Sequence, residues 1–296
     1  MSMTVTIGNF DGVHLGHLEV AARALKPGGR TAAVCFEPVT RQYFSRDAWR
    51  RRLTTVWERY MLLMGTGLDS VELVPFHDGI VQRGADEFLE ELHGRLSFRR
   101  IVVGYDFHFG RNRSGSAEYL SRWCTSRGID TIIVPPLEIR GEPVKSERLR
   151  LLLEKGDLEH AVELLGRPYS LTGVVARGKG LGRELGFPTL NIRVPACKLL
   201  PMSGSYCGHV YSGNGAERMT AAVFVPDRAA GPVEAHVPDI RLNGSYGSLV
   251  RVELVERIRE VVHARSAHEL KELIAGDIEV VRRFEKEKGR MEDPRA

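Results

Sequence analysis

At 296 residues the chain has room for two domains of ordinary size, and 43% hydrophobic residues suffice to build a core in each. A formal net charge of +4, scattered along the sequence, suits small anionic ligands and argues against the concentrated basic patch of a nucleic-acid binder. No apolar run approaches the ~20 residues that span a bilayer, and no secretory segment opens the chain, so a cytoplasmic protein without a membrane partner is expected.

The first apolar run, residues 4–7, predicts a strand. It ends in Gly8-Asn9-Phe10-Asp11-Gly12-Val13-His14-Leu15-Gly16-His17 and leads into a helical stretch over 18–25. Strand, tight turn and helix start is how an α/β protein presents backbone N–H groups to a phosphate. The turn glycines allow close approach of a nucleotide. His14 and His17, three apart, are expected in the first turn of the helix on one face, as donors to a polyphosphate. Half a zinc site is the alternative, but no cysteine or carboxylate nearby has ligand-like spacing.

Further strands are predicted over 31–36, 70–75, 100–104 and 131–135, with helices over 54–64, 85–96 and 116–127 between them. Such alternation predicts a parallel sheet covered on both faces, with ligands at the carboxyl ends of its strands. The triplet Arg50-Arg51-Arg52 reads as solvated surface. Cys35, Cys124, Cys197 and Cys207 form no C-x-x-C pair and read as reduced thiols. Residues 146–165 read as two short helices.

The pattern changes near Gly166-Arg167-Pro168. Short strands are predicted over 170–176, 189–194, 205–211, 219–225, 233–237 and 249–255, with a turn at 212–215, as in an antiparallel barrel or sandwich. A helix over about 267–286 carries the stripe Leu270, Leu273, Ile274, Ile278, Val281 and Phe284 for packing on that barrel. The charged tail 288–296 is expected to fray. Within the glycine-rich stretch 177–188, the spacing is not that of a Walker loop. Thr189 and Asn191, two apart on a strand, share a face and offer hard oxygen donors suited to Mg²⁺. The alternative is a pair of exposed polar residues after a flexible hairpin.

The opening string resembles the nucleotidyltransferase signature G-x-F-D-x-x-H-x-G-H. The stretch from Gly178 to Asn191 resembles G-x-x-x-G-R-x-L-G-F-P-T-x-N of riboflavin kinases. Val103–Gly115 is similar to a G-Y-D-F-x-F-G-x-x-R-x-G block, Val233-Glu234-Ala235-His236 to a Glu-x-His strand, and Tyr246-Gly247 to the Tyr-Gly that follows it. Over nearly the whole chain the likeness is to the bacterial bifunctional riboflavin kinase/FAD synthetase family.

The resemblance implies an α/β plus β protein. Residues 1–156 would form a Rossmann-like nucleotidyltransferase domain on a parallel sheet. Residues 157–296 would form an antiparallel six-stranded β-barrel with a terminal helix. The barrel would phosphorylate riboflavin to FMN, and the first domain would adenylylate FMN to FAD, releasing pyrophosphate. ATP is the co-substrate of both steps, with Mg²⁺. His14, His17 and Glu234 are implied as catalytic, Glu234 as the general base. Gly8, Phe10, Asp11, Gly12, Gly16, Ser146, Arg150, Gly178, Gly182, Arg183, Gly186 and Pro188 would bind nucleotide and phosphate. Asp106, Phe107 and Arg113 would lie against the flavin, and Thr189 and Asn191 would hold the metal. Partners would be riboflavin, FMN and ATP, with the protein a monomer or weak homo-oligomer.

Three stretches depart from the family pattern. Phe36-Glu37-Pro38-Val39-Thr40 lacks the His-Pro of Phe-x-Pro-His-Pro. Ser-Ser-Thr-x-Ile-Arg appears as Lys145-Ser146-Glu147-Arg148-Leu149-Arg150. Glu147 would repel a phosphate unless it points away, with Lys145 as the cation expected to offset it. Asn-Ile-Gly-x-x-Pro-Thr becomes Ala222-Val223-Phe224-Val225-Pro226-Asp227-Arg228-Ala229-Ala230-Gly231, with the bulk of Phe224 where an amide stood. These motivate an alternative, a specialised relative with one working site or a modified flavin-like substrate. A non-catalytic flavin or nucleotide binder is a third reading, opposed by the joint retention of His14, His17, Thr189, Asn191 and Glu234.

Overall fold

The structure, a computed structural model, describes residues 2–25, 29–45, 51–178, 180–212, 218–227, 231–238 and 246–291, with backbone only at 181, 183 and 288–291. The expected turn at 212–215 falls almost wholly outside the described residues. The chain divides into two units, Met1–Arg148 and Leu149–Ala296.

The first unit runs β1 (Met3–Gly8), α1 (Leu15–Ala24), β2 (Arg30–Glu37), α2 (Thr40–Phe44), α3 (Val56–Met64), β3 (Ser70–Pro75), α4 (Asp78–Val81), α5 (Ala85–Leu96) and β4 (Arg100–Gly104). A short hairpin, β5 (His108–Phe109) and β6 (Gly115–Ser116), precedes α6 (Ala117–Thr125) and β7 (Asp130–Val134). A second hairpin, β8 (Glu138–Ile139) and β9 (Glu142–Pro143), leads into α7 (Ser146–Glu154), which crosses the division between the units.

The five long strands form one parallel sheet in the order β3-β2-β1-β4-β7. Each face has its own apolar layer. Val5, Ile7, Val34, Ile101 and Val103 pack with α5 and α6, while Ala33, Cys35 and Val102 pack with α1 and Leu63 of α3. Burial on both faces explains the continuous apolar runs of these strands. The strand order reverses at β1, so its carboxyl end opens at the switch point where such sheets bind ligands.

In the second unit, α7 is followed by α8 (Leu158–Leu165), closed by Gly166 in the left-handed region at φ 69°. A closed antiparallel barrel follows, made from β10 (Tyr169–Ala176), β11 (Leu190–Arg193), β12 (Gly204–Ser212), β13 (Arg218–Val225), β14 (Val233–His236) and β15 (Leu249–Arg259). The barrel order is β10-β11-β14-β13-β12-β15, with α9 (Leu181–Glu184) between its first two strands.

Register fixes its two faces. Leu190, Ala235, Val223 and Tyr206 are cross-strand neighbours and all buried, so they form one interior row. Asn191, Glu234, Phe224 and Ser205 form the adjacent row on the outer face. Helix α10 (Ala267–Met291) packs Ile278 and Val281 on Cys207 and Ala222 of that face. Asp277 of α10 also accepts from Ser205 Oγ and from Arg259 Nε, each at 2.8 Å. The helix thus runs to Met291, past the expected end near 286, and residues 288–291, expected to fray, are helical.

Two candidate active sites

The first site is the turn after β1. Asp11, 3% exposed, accepts from the backbone N–H of Leu53 and of Thr54, both at 3.0 Å, and from Thr54 Oγ1 at 3.1 Å. Thr54 Oγ1 in turn accepts from Gly12 N at 3.0 Å. The Asp11 carboxylate is therefore engaged in holding the turn against the segment that precedes α3. Phe10 (φ 48°) and Val13 (φ 40°) are buried in left-handed backbone, a strained conformation for bulky residues, and least expected of β-branched valine. Gly12 adds φ 91°, and a Cβ there would stand 2.8 Å from Leu53 Cδ1.

This turn aims the histidines. His14 is the N-cap of α1 rather than a residue of its first turn, because the helix begins at Leu15, three residues before the expected start. Its Nδ1 accepts from His17 N at 3.3 Å, and the two imidazoles stack with centroids 3.6 Å apart. Gly16 leaves room for the His14 ring, which a Cβ would meet at 3.3 Å. Phe10 meets the His17 ring edge-on at 5.3 Å.

Beneath the turn lies a charge cluster that the sequence did not reveal. Glu37 at the end of β2 accepts from both Nη atoms of Arg52, each at 2.7 Å, and from Arg59 Nη2 at 2.7 Å. Arg59 also donates to Asn9 O at 2.7 Å, and Asn9 Nδ2 donates to Thr40 Oγ1 at 2.8 Å. Arg59 is 0% and Arg52 3% exposed. The expectation of a solvated arginine triplet therefore fails at Arg52, and Arg51 pairs with Glu147 at 3.2 Å. Arg50 lies outside the described residues. Burial lowers the pKa of Arg59 and pushes the neighbouring Cys35 thiol up to about 11. The only sequence signal here was the capping box of α3, Thr55 with Glu58, which marks the helix start but not the buried cations.

At the start of α7, Ser146 Oγ donates to Asp11 O at 2.8 Å, so this hydroxyl braces the turn. Arg150, one helical turn further on, is buried. Glu147 is not offset by Lys145. It is held by Arg41 and Arg51, and Lys145 instead faces Asp106 at 3.7 Å. Asp106 is more than half exposed, and Phe107 stacks on Phe109 with centroids 5.3 Å apart. Arg113, exposed, lies 3.2 Å from His108 Nδ1.

The second site lies on the outer face of the barrel. Asn191 is directly opposite Glu234, and Thr189 immediately precedes β11. Burial raises the Glu234 pKa above the ordinary carboxylate range. Gly178 sits under the Asn191 amide, where a Cβ would come within 2.5 Å of Oδ1. A Cβ on Gly182 would stand 2.5 Å from Phe187 O and 3.2 Å from Thr189 Oγ1. These glycines let the loop close over the two oxygen donors. Gly186 turns the chain at φ 91°, and His236 Nδ1 bonds Pro188 O at 2.9 Å, a brace that the Glu-x-His pattern held without declaring its purpose. The side chain of Arg183 is outside what the structure describes. Phe224 is the next residue after Glu234 in the same row.

Comparisons with known proteins divide the chain in the same way. A FAD synthetase family model matches residues 1–148 and a riboflavin kinase model residues 165–285. A bifunctional riboflavin kinase/FMN adenylyltransferase of Escherichia coli is 32% identical, over 95% of this chain and 92% of its own length. One from Pseudomonas fluorescens is 31% identical, over 94% and 91%. A solved structure from Streptococcus pneumoniae, named a macrolide-efflux protein, matches with a TM-score of 0.83 at 26% identity, covering 95% of this chain and 94% of that one. No helix among the described residues is long and apolar enough to cross a membrane. Both domains are present in series, and the chain belongs to the bifunctional riboflavin kinase/FMN adenylyltransferase family.

Proposed function

We propose that the chain makes FAD from riboflavin in two steps at two sites, residues 157–296 performing the first step and 1–156 the second. The observation that carries this reading is the register of Glu234 opposite Asn191, beside Thr189, which puts a carboxylate next to a pair of oxygen donors. In the barrel, Glu234 accepts the proton of the ribityl hydroxyl as that oxygen attacks the γ-phosphate of ATP, and ADP leaves as the bond to the β,γ-bridging oxygen breaks. A raised pKa suits this role, since a stronger base accepts the proton more readily. Thr189 and Asn191 would hold Mg²⁺, whose charge would neutralise the triphosphate; hard oxygen donors under close-packed glycines fit that ion.

At the first site the phosphate of FMN, already an anion, attacks the α-phosphate of ATP and pyrophosphate leaves. His14 and His17 donate to the phosphoryl oxygens as charge develops. The strained turn and the Asp11 and Arg59 anchors hold both rings in place beforehand. We place the protein in the cytoplasm, as a monomer or weak homo-oligomer, with riboflavin, FMN and ATP as its ligands.

A second reading, narrower or altered flavin choice at the barrel, is favoured by Phe224 in the row beside Glu234. Incubation with MgATP and either riboflavin or FMN, with products identified by chromatography and mass, tests both. FMN then FAD in the first case and FAD in the second support the two-step reading. FAD from supplied FMN alone would favour the second reading.

A further inference from the structure

The loop over the two oxygen donors of the barrel site is seated from behind, on the terminal helix. Phe187 and Pro188 lead directly into Thr189. Phe187 N donates to Gly182 O at 2.7 Å, and a Cβ on Gly182 would stand 2.5 Å from Phe187 O. The backbone of Phe187 thus closes the glycine-rich turn on itself. A closed turn rich in glycine can still swing as a body, so something must fix it to the barrel.

The side chain of Phe187 does so. It is half-buried and packs against the cluster that Ile278 and Val281 of α10 make with Cys207 and Ala222. Its ring also meets the His236 ring edge-on, with centroids 5.7 Å apart and planes at 88°. His236 lies two residues beyond Glu234, on the same face of β14 and directly opposite Ala222. Its Nδ1 donates to Pro188 O at 2.9 Å, the role left to a nitrogen that faces a carbonyl. The loop therefore rests on a floor that α10 helps to build.

A polar contact within its buried face locks α10 in place. Asp277, 7% exposed and next to Ile278, accepts from Arg259 Nε and Nη2 and from Ser205 Oγ, each at 2.8 Å. A two-point guanidinium–carboxylate pair has one good geometry, whereas apolar contacts tolerate sliding. Ser205 belongs to the outer row that carries Asn191 and Glu234, so the lock stands on the face that bears the site.

We propose that α10 is part of the kinase machinery: it seats the loop over the oxygen donors through Phe187, a positioning residue, with Asp277 holding the helix in register. The inference rests on the kinase reading of the barrel. Without its seat the loop, and Thr189 with it, spreads over open positions. A loop closed about one tenth of the time raises the apparent dissociation constant of its ligand about tenfold. Glu234, fixed by sheet register, keeps its place. By linkage, a nucleotide that closes the loop also tightens α10 on the barrel.

The test measures KM for ATP, KM for riboflavin and kcat, with product counted as FMN plus FAD, for the full-length wild type, Phe187→Ala, Phe187→Leu and Asp277→Asn. In Phe187→Ala, KM for ATP should rise about tenfold, with kcat and KM for riboflavin within a few-fold. Phe187→Leu should recover most of that loss, and Asp277→Asn should show a smaller rise in the same KM. FAD formation from supplied FMN should stay at the wild-type rate in all three. An unchanged KM for ATP in Phe187→Ala, or a loss carried by kcat alone, would overturn the assignment. Hydrogen exchange with MgADP reads the coupling without turnover. In the wild type, exchange should slow in α10 as well as over 182–190, and Phe187→Ala should lose the slowing in α10. Slowing of the loop alone in the wild type would overturn the role of the helix. A wild type that makes neither FMN nor FAD from riboflavin and MgATP would overturn the kinase reading itself.

Discussion

The two sites solve the same physical problem, fixing polar groups around phosphates, with different tools. In the first, the backbone is forced into place. Phe10 and Val13 are held left-handed, and the turn is tied down by the buried Asp11 carboxylate and by the Arg59 guanidinium. In the second, the positions come from sheet register, with Asn191 and Glu234 opposite one another, and glycines make room for a covering loop. A site built on strain needs buried anchors to persist, so its integrity is bound up with local stability. A site built on register inherits its geometry from the barrel ladder and can lose a functional side chain without losing its shape.

Substitutions can break this contrast, and the largest effect is expected at the barrel. Glu234→Gln should slow FMN formation by about 10²–10⁴-fold while supplied FMN is still adenylylated, as read by flavin chromatography. His17→Ala should lower FAD formation by about 10²–10³-fold and leave FMN formation intact, on the same assay. Asp11→Ala leaves the Leu53 and Thr54 N–H groups without their acceptor in a buried turn, a loss of roughly 3 kcal/mol. Urea unfolding should show the first unit melting earlier, with FAD formation lost and FMN formation kept.

The smallest effect concerns stability and pH. The pKa of Glu234 is raised by burial, so the folded chain holds that proton more tightly than the unfolded one. Its contribution is fully present below the ordinary glutamate pKa and is lost as pH rises through the folded value. Glu234→Gln should therefore unfold at higher urea than wild type at pH 8, with the difference shrinking toward pH 4. An equal offset at both pH values would show that ionisation is not its source.

The sequence exposed what is local and periodic. The strands at Ser70–Pro75 and Arg100–Gly104 and the helix Ala85–Leu96 fall where their apolar patterns put them. The barrel strands were legible because turn residues punctuate them. The start of α1 was obscured by Gly16 and by an imidazole acting as N-cap, a role that sequence rules give to Ser, Thr, Asp or Asn. Long-range pairing was hidden altogether. Glu147 finds Arg41 and Arg51, 106 and 96 residues away, and Arg52 and Arg59 converge on Glu37 in the interior. No period in a sequence records which buried charge meets which, so arginines that brace the first site looked like surface.

The central claim is that two independent sites share one chain. It is tested most directly by giving riboflavin and MgATP to His17→Ala, to Glu234→Gln, and to the two proteins mixed. The account predicts that the first stops at FMN, the second leaves riboflavin unchanged, and the mixture makes FAD from FMN released by one protein and taken up by the other. A mixture that yields no FAD, or a folded single variant that loses both steps, would contradict it.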